Sequence, residues 1–382
     1  MTFGARLTVV SGLGVLVAAG AAVATHLAGH SYTYSCGPCG TNTCAQAFAC
    51  LQDTSRPTVT VPAGTYTSQY NVSNQPANTN LDAHTNVVFE SSSTNKYPVV
   101  VRETNAAGLC WNGGKFKGLW DTSWTWGQMH DANNAAWVAK SATPSVDGVR
   151  ANNVTDGVRL EPNTQTIADT NFTIRQVWLS NIRDDCIEDD RLQGGLVDDV
   201  LFDGCYVGIS TRATDTSFDG TNRTITVNDS MIGLKAMKGT RTGKGICVGG
   251  TEDGAACCDP SLADTNPCSP QDLCAGGGVC SGHNMFFKVL SSGKSPRLQL
   301  TDNLFYAEDV PNDGASGLCP PLTYLTACSN NTIVWAGSGA FPTTCSLGSF
   351  PASCWQVTTD TSIWNNAVAA WKTAHPHVPD IQ

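Results

Sequence analysis

The 382-residue sequence predicts an all-β chain: a right-handed parallel β-helix (solenoid) with a disulfide-rich loop insertion and a short C-terminal helix. Three observations lead there. Charged residues make up only 14% of the chain while glycine supplies 37 residues, which suits short strands and tight turns better than helices with charged outer faces. Short runs of alternating apolar residues, separated by Asn, Asp or Gly, recur from about residue 84 at irregular intervals of some twenty to thirty residues. Three further turns line up so that, at one corner of consecutive coils, their side chains would stack along a common face.

The chain opens with Arg6, the apolar run Leu7 to Ala24 and the small-residue pattern Ala22-Val23-Ala24. This is a signal-peptide pattern, so residues 1–24 are expected to be removed after Ala24 and the mature protein to be secreted. An uncleaved membrane anchor is the alternative, weakened by the glycine and alanine content of the run. Residues 25–382 then form one domain, since all-β folds often exceed the usual domain length. A protein of this kind is expected to be a monomer with no membrane contact after cleavage.

Seventeen cysteines fit export, because paired cysteines brace a loop-rich surface in an oxidising compartment. Cys36, Cys39, Cys44 and Cys50 form one dense group; Cys247, Cys257, Cys258, Cys268, Cys274 and Cys280 form another. No Cys/His pair follows Cys36 and Cys39 at zinc-ribbon spacing, so disulfides are expected there and no metal. The segment Cys44 to Leu51 is expected to cap the first coil.

The repeating theme runs through Asn86-Val87-Val88-Phe89, Val146-Asp147-Gly148-Val149, Phe172-Thr173-Ile174, Leu196 to Phe202, Thr224 to Val227, Leu298 to Leu300 and Asn331 to Val334. The aligned turns are Thr155-Asp156-Gly157-Val158, Asp184-Asp185-Cys186-Ile187 and Cys205-Tyr206-Val207-Gly208-Ile209. From about 240 to 282 the chain is rich in Gly, Cys, Asp and Pro without a strand pattern, which reads as a disulfide-stapled loop beside a groove. Helical spacing of apolar residues from Trp364 to His375, ended by Pro376, predicts a helix that covers the edge of the last coil.

A net charge of −10 and the absence of any Lys/Arg-rich run exclude nucleic acid as a partner. Gly-rich phosphate loops, Gly-x-Ser-x-Gly elbows and His-Glu-x-x-His helices are absent too, which removes nucleotide, serine-hydrolase and zincin chemistry.

What remains is an acidic cluster: Asp184, Asp185, Glu188, Asp189 and Asp190, with Asp156 one coil earlier. Carboxylates crowded this way cannot all ionise cheaply, so one holds a proton and serves as an acid while its neighbours serve as bases. That equips a glycosidase. The same residues also fill solenoid turns or bind calcium through oxygen ligands, and all three readings stay open on pattern alone. Trp120, Trp124, Trp126 and His130 offer ring faces for sugar and a candidate proton shuttle. Lys288 alternates with apolar neighbours and points out of its strand.

Val154-Thr155-Asp156, Asp184-Asp185-Cys186 and Asp203-Gly204-Cys205, in that order, resemble the Asn-Thr-Asp, Asp-Asp-Cys and Gly-Thr-Cys core of the polygalacturonase-type glycoside hydrolases. These belong to the pectin-lyase-like right-handed parallel β-helix proteins, and the likeness covers about 150 residues. It implies a disulfide between Cys186 and Cys205. It further implies Asp184 as proton donor, Asp156 and Asp185 as the carboxylates that activate water in an inverting hydrolysis, and Lys288 as a substrate contact. The family's Gly-His-Gly is missing after Cys205, and Phe286 stands where the family has arginine, which argues against galacturonate. The wider pattern, including Arg-Asp-Asp-Cys-Ile-Glu-x-Asp, is similar to a group of exported bacterial β-helix proteins that supplies a fold and no activity.

The expected function is therefore polysaccharide hydrolysis by Asp184, Asp185 and Asp156, with Lys288, Glu188, Asp190, His130 and Trp126 as substrate contacts and no cofactor. The alternatives are a polysaccharide lyase that uses calcium, with Lys288 or Arg183 as the base, and a non-catalytic extracellular glycan-binding protein.

Overall fold

The computed structural model describes residues 47–102, 107–213, 215–239, 244–248, 250–251, 256–258, 274–283, 285–289, 293–308, 318, 321–337, 340–341, 351 and 353–381. The expected signal segment, Cys36, Cys39, Cys44 and Cys268 lie outside the described residues. The protein is mostly β, 44% strand against 12% helix. Among the described residues the α-helices are α1 (Ala49–Gln52), α2 (Trp126–Ala132), α3 (Gln165–Ala168) and α4 (Thr361–Ala374). No helix among them is long and apolar enough to cross a membrane.

Two long parallel sheets dominate, one of nine strands and one of fifteen, and the chain visits them in alternation. In the first sheet Leu81, Trp111, Val146, Ile174, Val197, Val227 and Leu300 are partners on successive strands, all buried. In the second the corresponding row is Phe89, Phe116, Ala151, Leu179, Phe202, Ile232, Phe305 and Ile333. Parallel pairing in register places like residues above like. Each large apolar side chain buried in such a row contributes about 1.5–3 kcal/mol. Phe89 and Phe116 stack with ring centres 5.0 Å apart.

From Cys110–Asn112 to Leu325–Ser329, each passage from a strand of the first sheet to the next strand of the second holds a residue with positive φ: Gly113, followed by Gly114, then Gly148, Gln176, Asp199, Asp229, Asp302 and Asn330. A left-handed residue turns the chain sharply, and Gly, Asn and Asp adopt that conformation at least cost. Their amides donate to the chain one layer on, as in Gly148 N to Arg175 O and Asp199 N to Asn228 O. The Asn/Asp/Gly punctuation of the sequence is this bend.

Five strands of the second sheet carry the candidate site: β1 (Ala135–Ala139), β2 (Asp156–Leu160), β3 (Trp178–Glu188), β4 (Leu201–Thr211) and β5 (Phe287–Val289). They pair in that order, with Val158 opposite Ile187, Ile187 opposite Ile209 and Ile209 opposite Phe287. The three segments expected as corner turns are thus strand segments. Their stacking on one another holds; their place at a turn does not, because the apolar residues Val158, Ile187 and Ile209 keep them paired. Cys186 and Cys205 are bridged between β3 and β4, and Cys50–Cys110 and Cys328–Cys354 tie other layers.

Two further expectations change. The insertion is not a plain loop: Met237–Lys238, Lys244–Val248, Ala256–Cys258 and Val279–Gly282 form a small antiparallel sheet, stapled by Cys247–Cys274 and Cys257–Cys280. Disulfides here supply the stability that a core this small lacks.

Helix α4, expected over the edge of the last coil, lies instead across the second sheet, on the side away from the stacked apolar row. Its stripe Trp364, Ala367, Trp371 and Ala374 is buried. Trp364 stacks on Tyr306 at 5.2 Å and fills the space above Gly233, where an added Cβ would come within 2.7 Å of the indole. Trp371 meets Trp178, Lys372 pairs with Asp203 at 3.1 Å, and beyond the helix Asp380 pairs with Arg150 at 2.8 Å. Two indoles on one stripe need a broad floor, which these central strands provide and a strand edge does not.

Candidate functional site

Strict alternation along β3 would send Asp184 and Asp185 to opposite faces. The pairing of β3 with β4 is irregular between Ile182 and Asp185, and such a shift re-aims side chains. As a result Asp184, Asp185 and Asp156 at the head of β2 each bring a carboxylate oxygen within 4.8 Å of the other two. The backbone supports the arrangement: Asp184 N donates to Thr155 O at 2.8 Å, and Asp185 N donates to Asp156 Oδ1 at 3.2 Å.

Two of the three carboxylates have a cation of their own. Lys288 on β5 places Nζ 3.2 Å from Asp185 Oδ2 and 3.3 Å from Oδ1. Arg159, three residues along β2, binds Asp156 and Glu188 together and reaches Glu161 at 3.5 Å and Asn133 at 2.8 Å. Among the described residues, Asp184 receives the indole N–H of Trp126, at 3.2 Å, and no ion pair.

The titration of the group follows from that asymmetry. Burial, then the neighbouring charge of Asp185, holds the Asp184 carboxyl well above the usual carboxylate range. Asp185 is also raised by burial, against the pull of Lys288. Glu188 is raised by burial and by Asp156, and Asp190 is pushed up to about 7, again chiefly by burial. Burial opposes the Lys288 ammonium, but the carboxylates of Asp185 and Asp184 outweigh it and hold the pKa above the ordinary lysine value. The cluster therefore sets Asp184, pushed up by burial and by Asp185, beside two aspartates that each hold an ion pair.

The expected open groove is absent at these residues. Asp156, Asp185 and Asp184 are 1%, 2% and 7% exposed, because α2 lies on them. Thr125 caps that helix with a reciprocal capping box, Thr155 Oγ1 donates to Met129 O, and Trp126 packs against Tyr206, Val207 and Met237.

The remaining expected contacts divide. Glu188 and Lys288 belong to the cluster, and Asp190 adjoins it through the charges of Asp185 and Lys288. His130 is on the exposed side of α2, stacked on Trp126 at 4.6 Å, and so sits behind the indole rather than among the carboxylates. Trp120 and Trp126 are 6% and 4% exposed, and Trp120 donates to Ser91 Oγ at 3.1 Å; they are packing residues and present no free ring face to a sugar. Arg159 was not singled out from the sequence. The i, i+3 spacing of Asp156 and Arg159 was the available signal.

Three carboxylate oxygens this close raise the question of a cation. Calcium takes six to eight oxygens. Here the Lys288 ammonium already occupies Asp185 and the Arg159 guanidinium Asp156, so the donor set fits calcium poorly.

No family model matches the chain, and no curated protein or solved structure matches it.

Proposed function

We propose that the chain is a right-handed parallel β-helix that hydrolyses polysaccharide outside the cell, with Asp184 as the proton donor. The observation that carries this reading is the asymmetry of the three aspartates: two hold ion pairs, while Asp184 accepts an indole N–H and is pushed up by burial and by Asp185. Parallel strands that pair with their counterparts one layer on, joined by left-handed bends, support the β-helix. So does the resemblance of the three aspartate motifs to the polygalacturonase-type core. Disulfides are compatible with an extracellular setting.

In the proposed reaction Asp184 gives its proton to the glycosidic oxygen as the bond to the leaving sugar breaks. Asp185 or Asp156, paired with Lys288 or Arg159, takes a proton from the water that attacks the sugar carbon, so that the water's hydroxyl forms the new bond there while the leaving sugar carries off the Asp184 proton. Access requires α2 to move off Asp184. A lyase route is less well supported, because a C5 proton must go to a neutral base and Lys288 is held as an ammonium.

The test is incubation of the full chain with a polysaccharide panel, with and without EDTA, reading reducing ends and unsaturated-product absorbance. Reducing ends released regardless of EDTA and lost in Asp184→Asn are expected; EDTA-sensitive unsaturated products would overturn the assignment. Near-complete burial of Asp156 and Asp185 favours one second reading, a non-catalytic glycan-binding protein whose acidic cluster is structural. Sugar affinity without turnover would be its signature.

A further inference from the structure

Apart from the aspartates, two clefts adjoin on the side of the second sheet where α4 lies. The first, about 560 Å³, is bounded by Leu119, Trp120 and Thr122 on one wall and by Met237 and Lys238 on the other, with Asn152, Asn181 and Arg183 on its floor. The second, about 190 Å³, runs between Tyr306 and Glu308, Trp364 and Asn365 of α4, and Asp203 and Lys235. Lys235 of the second cleft donates to Asn181 Oδ1 of the first at 3.3 Å, so one contact is the seam between them.

The floor crosses six neighbouring strands, those that hold Gly118, Asn152, Asn181, Gly204, Gly233 and Tyr306. At the ordinary strand spacing of about 4.8 Å that is a straight track of about 24 Å. It is long and narrow, which suits an extended chain rather than a compact ligand.

Its chemistry is polar and mixed. The first cleft presents Arg183 and Lys238 and, among the described residues, no carboxylate in its lining; the second presents Glu308 and Asp203 beside Lys235, with Asp203 paired to Lys372. A uniformly anionic polymer meets carboxylates at one end and a polycation meets Arg183 and Lys238 at the other. Leu119, 51% exposed, is the one strongly exposed large apolar side chain in either lining, too little for the apolar centre of a protein interface. Amides, both signs of charge and the half-buried ring of Tyr306 are what a neutral, hydroxyl-rich chain needs from donors, acceptors and an apolar face.

We infer that this track is a binding groove for an extended neutral glycan, separate from the aspartate cluster. It shares with the proposed function the premise that the partner is a glycan, but holds whether or not Asp184 is catalytic. Binding is read by calorimetry on the full chain with cellohexaose, xylohexaose, mannohexaose and hexagalacturonate as probes. At least one neutral hexasaccharide should bind, with affinity reduced about ten-fold in Lys238→Ala and in Tyr306→Ala, as expected for one lost polar contact or ring face each. Tyr306→Phe should keep most of the affinity, Asp184→Asn all of it, and matching thermal unfolding shows that the variants fold. Failure of every neutral probe, binding of hexagalacturonate alone, or unchanged affinity in both groove variants overturns the inference. Groove-dependent binding without hydrolysis removes the proposed activity and leaves the groove standing.

Discussion

Aspartate does two different jobs in this fold, and the contrast between Asp302 and Asp185 shows what decides between them. Asp302 sits at a left-handed bend between the sheets, partly open to water, where its backbone amide donates to Ser329 O and its carboxylate accepts from Asn330. Asp185 sits on β3, the strand next to that of Asp156, at an irregularity in pairing, buried and bound to Lys288. The residue type is the same. What differs is whether water can solvate the charge, and therefore whether the protein must supply a counter-charge or a proton.

The sharpest break in that comparison comes from removing a counter-charge. Lys288→Met leaves Asp185 buried without its cation and should destabilise the protein by about 3–5 kcal/mol, whereas Lys288→Met with Asp185→Asn should recover much of the loss. Thermal unfolding of the single and double variants reads this directly; a single variant as stable as the parent would mean that Asp185 is not enclosed.

Next in size is the covalent tie that holds the irregular strand. Replacing both Cys186 and Cys205 with alanine should cost about 2–4 kcal/mol, visible as a lower denaturant midpoint.

Acidity separates the two classes of aspartate more gently. Asp190, raised by burial to about 7, keeps its proton in the folded state above the pH at which it loses it in the unfolded chain. Its share of stability is thus fully present below about pH 4 and lost as pH rises towards about 7. Asp190→Asn should flatten that decline relative to the parent, since the amide has no proton to lose; an identical pH profile would place Asp190 in open water. The smallest change is expected at the bend. Asp302→Asn keeps both an acceptor and a side chain tolerant of positive φ, and should shift stability by no more than about 0.5 kcal/mol.

These differences explain what the sequence made legible. Bends were readable because Gly, Asn and Asp at Gly148, Asp199, Asp229 and Asn330 answer a local backbone requirement. The stacking of Asp156 with Asp184 and Asp185 was readable from spacing and from the resemblance that their motifs carry. The cover over them was not, because α2 reaches the cluster through Trp126 and Met129, whose partners are far away in sequence. Arg159 was passed over for a similar reason: alternation marks it as outward-facing, and nothing local says that outward here means beneath Tyr97 and α2's end residue Asn133. The small antiparallel sheet escaped notice because its cross-links replace the apolar periodicity by which strands are recognised.

The placement of α4 has a kinetic side. Lys372 and Asp380 meet partners 169 and 230 residues earlier, Asp203 and Arg150, so this segment docks only on a surface that several other strands have already built. Contacts of such sequence separation form slowly, because loop closure must precede any reward. Residues 361–381 therefore act as a latch: late to engage during folding, they hold together afterwards the strands that carry Arg150, Trp178, Asp203, Gly233 and Tyr306.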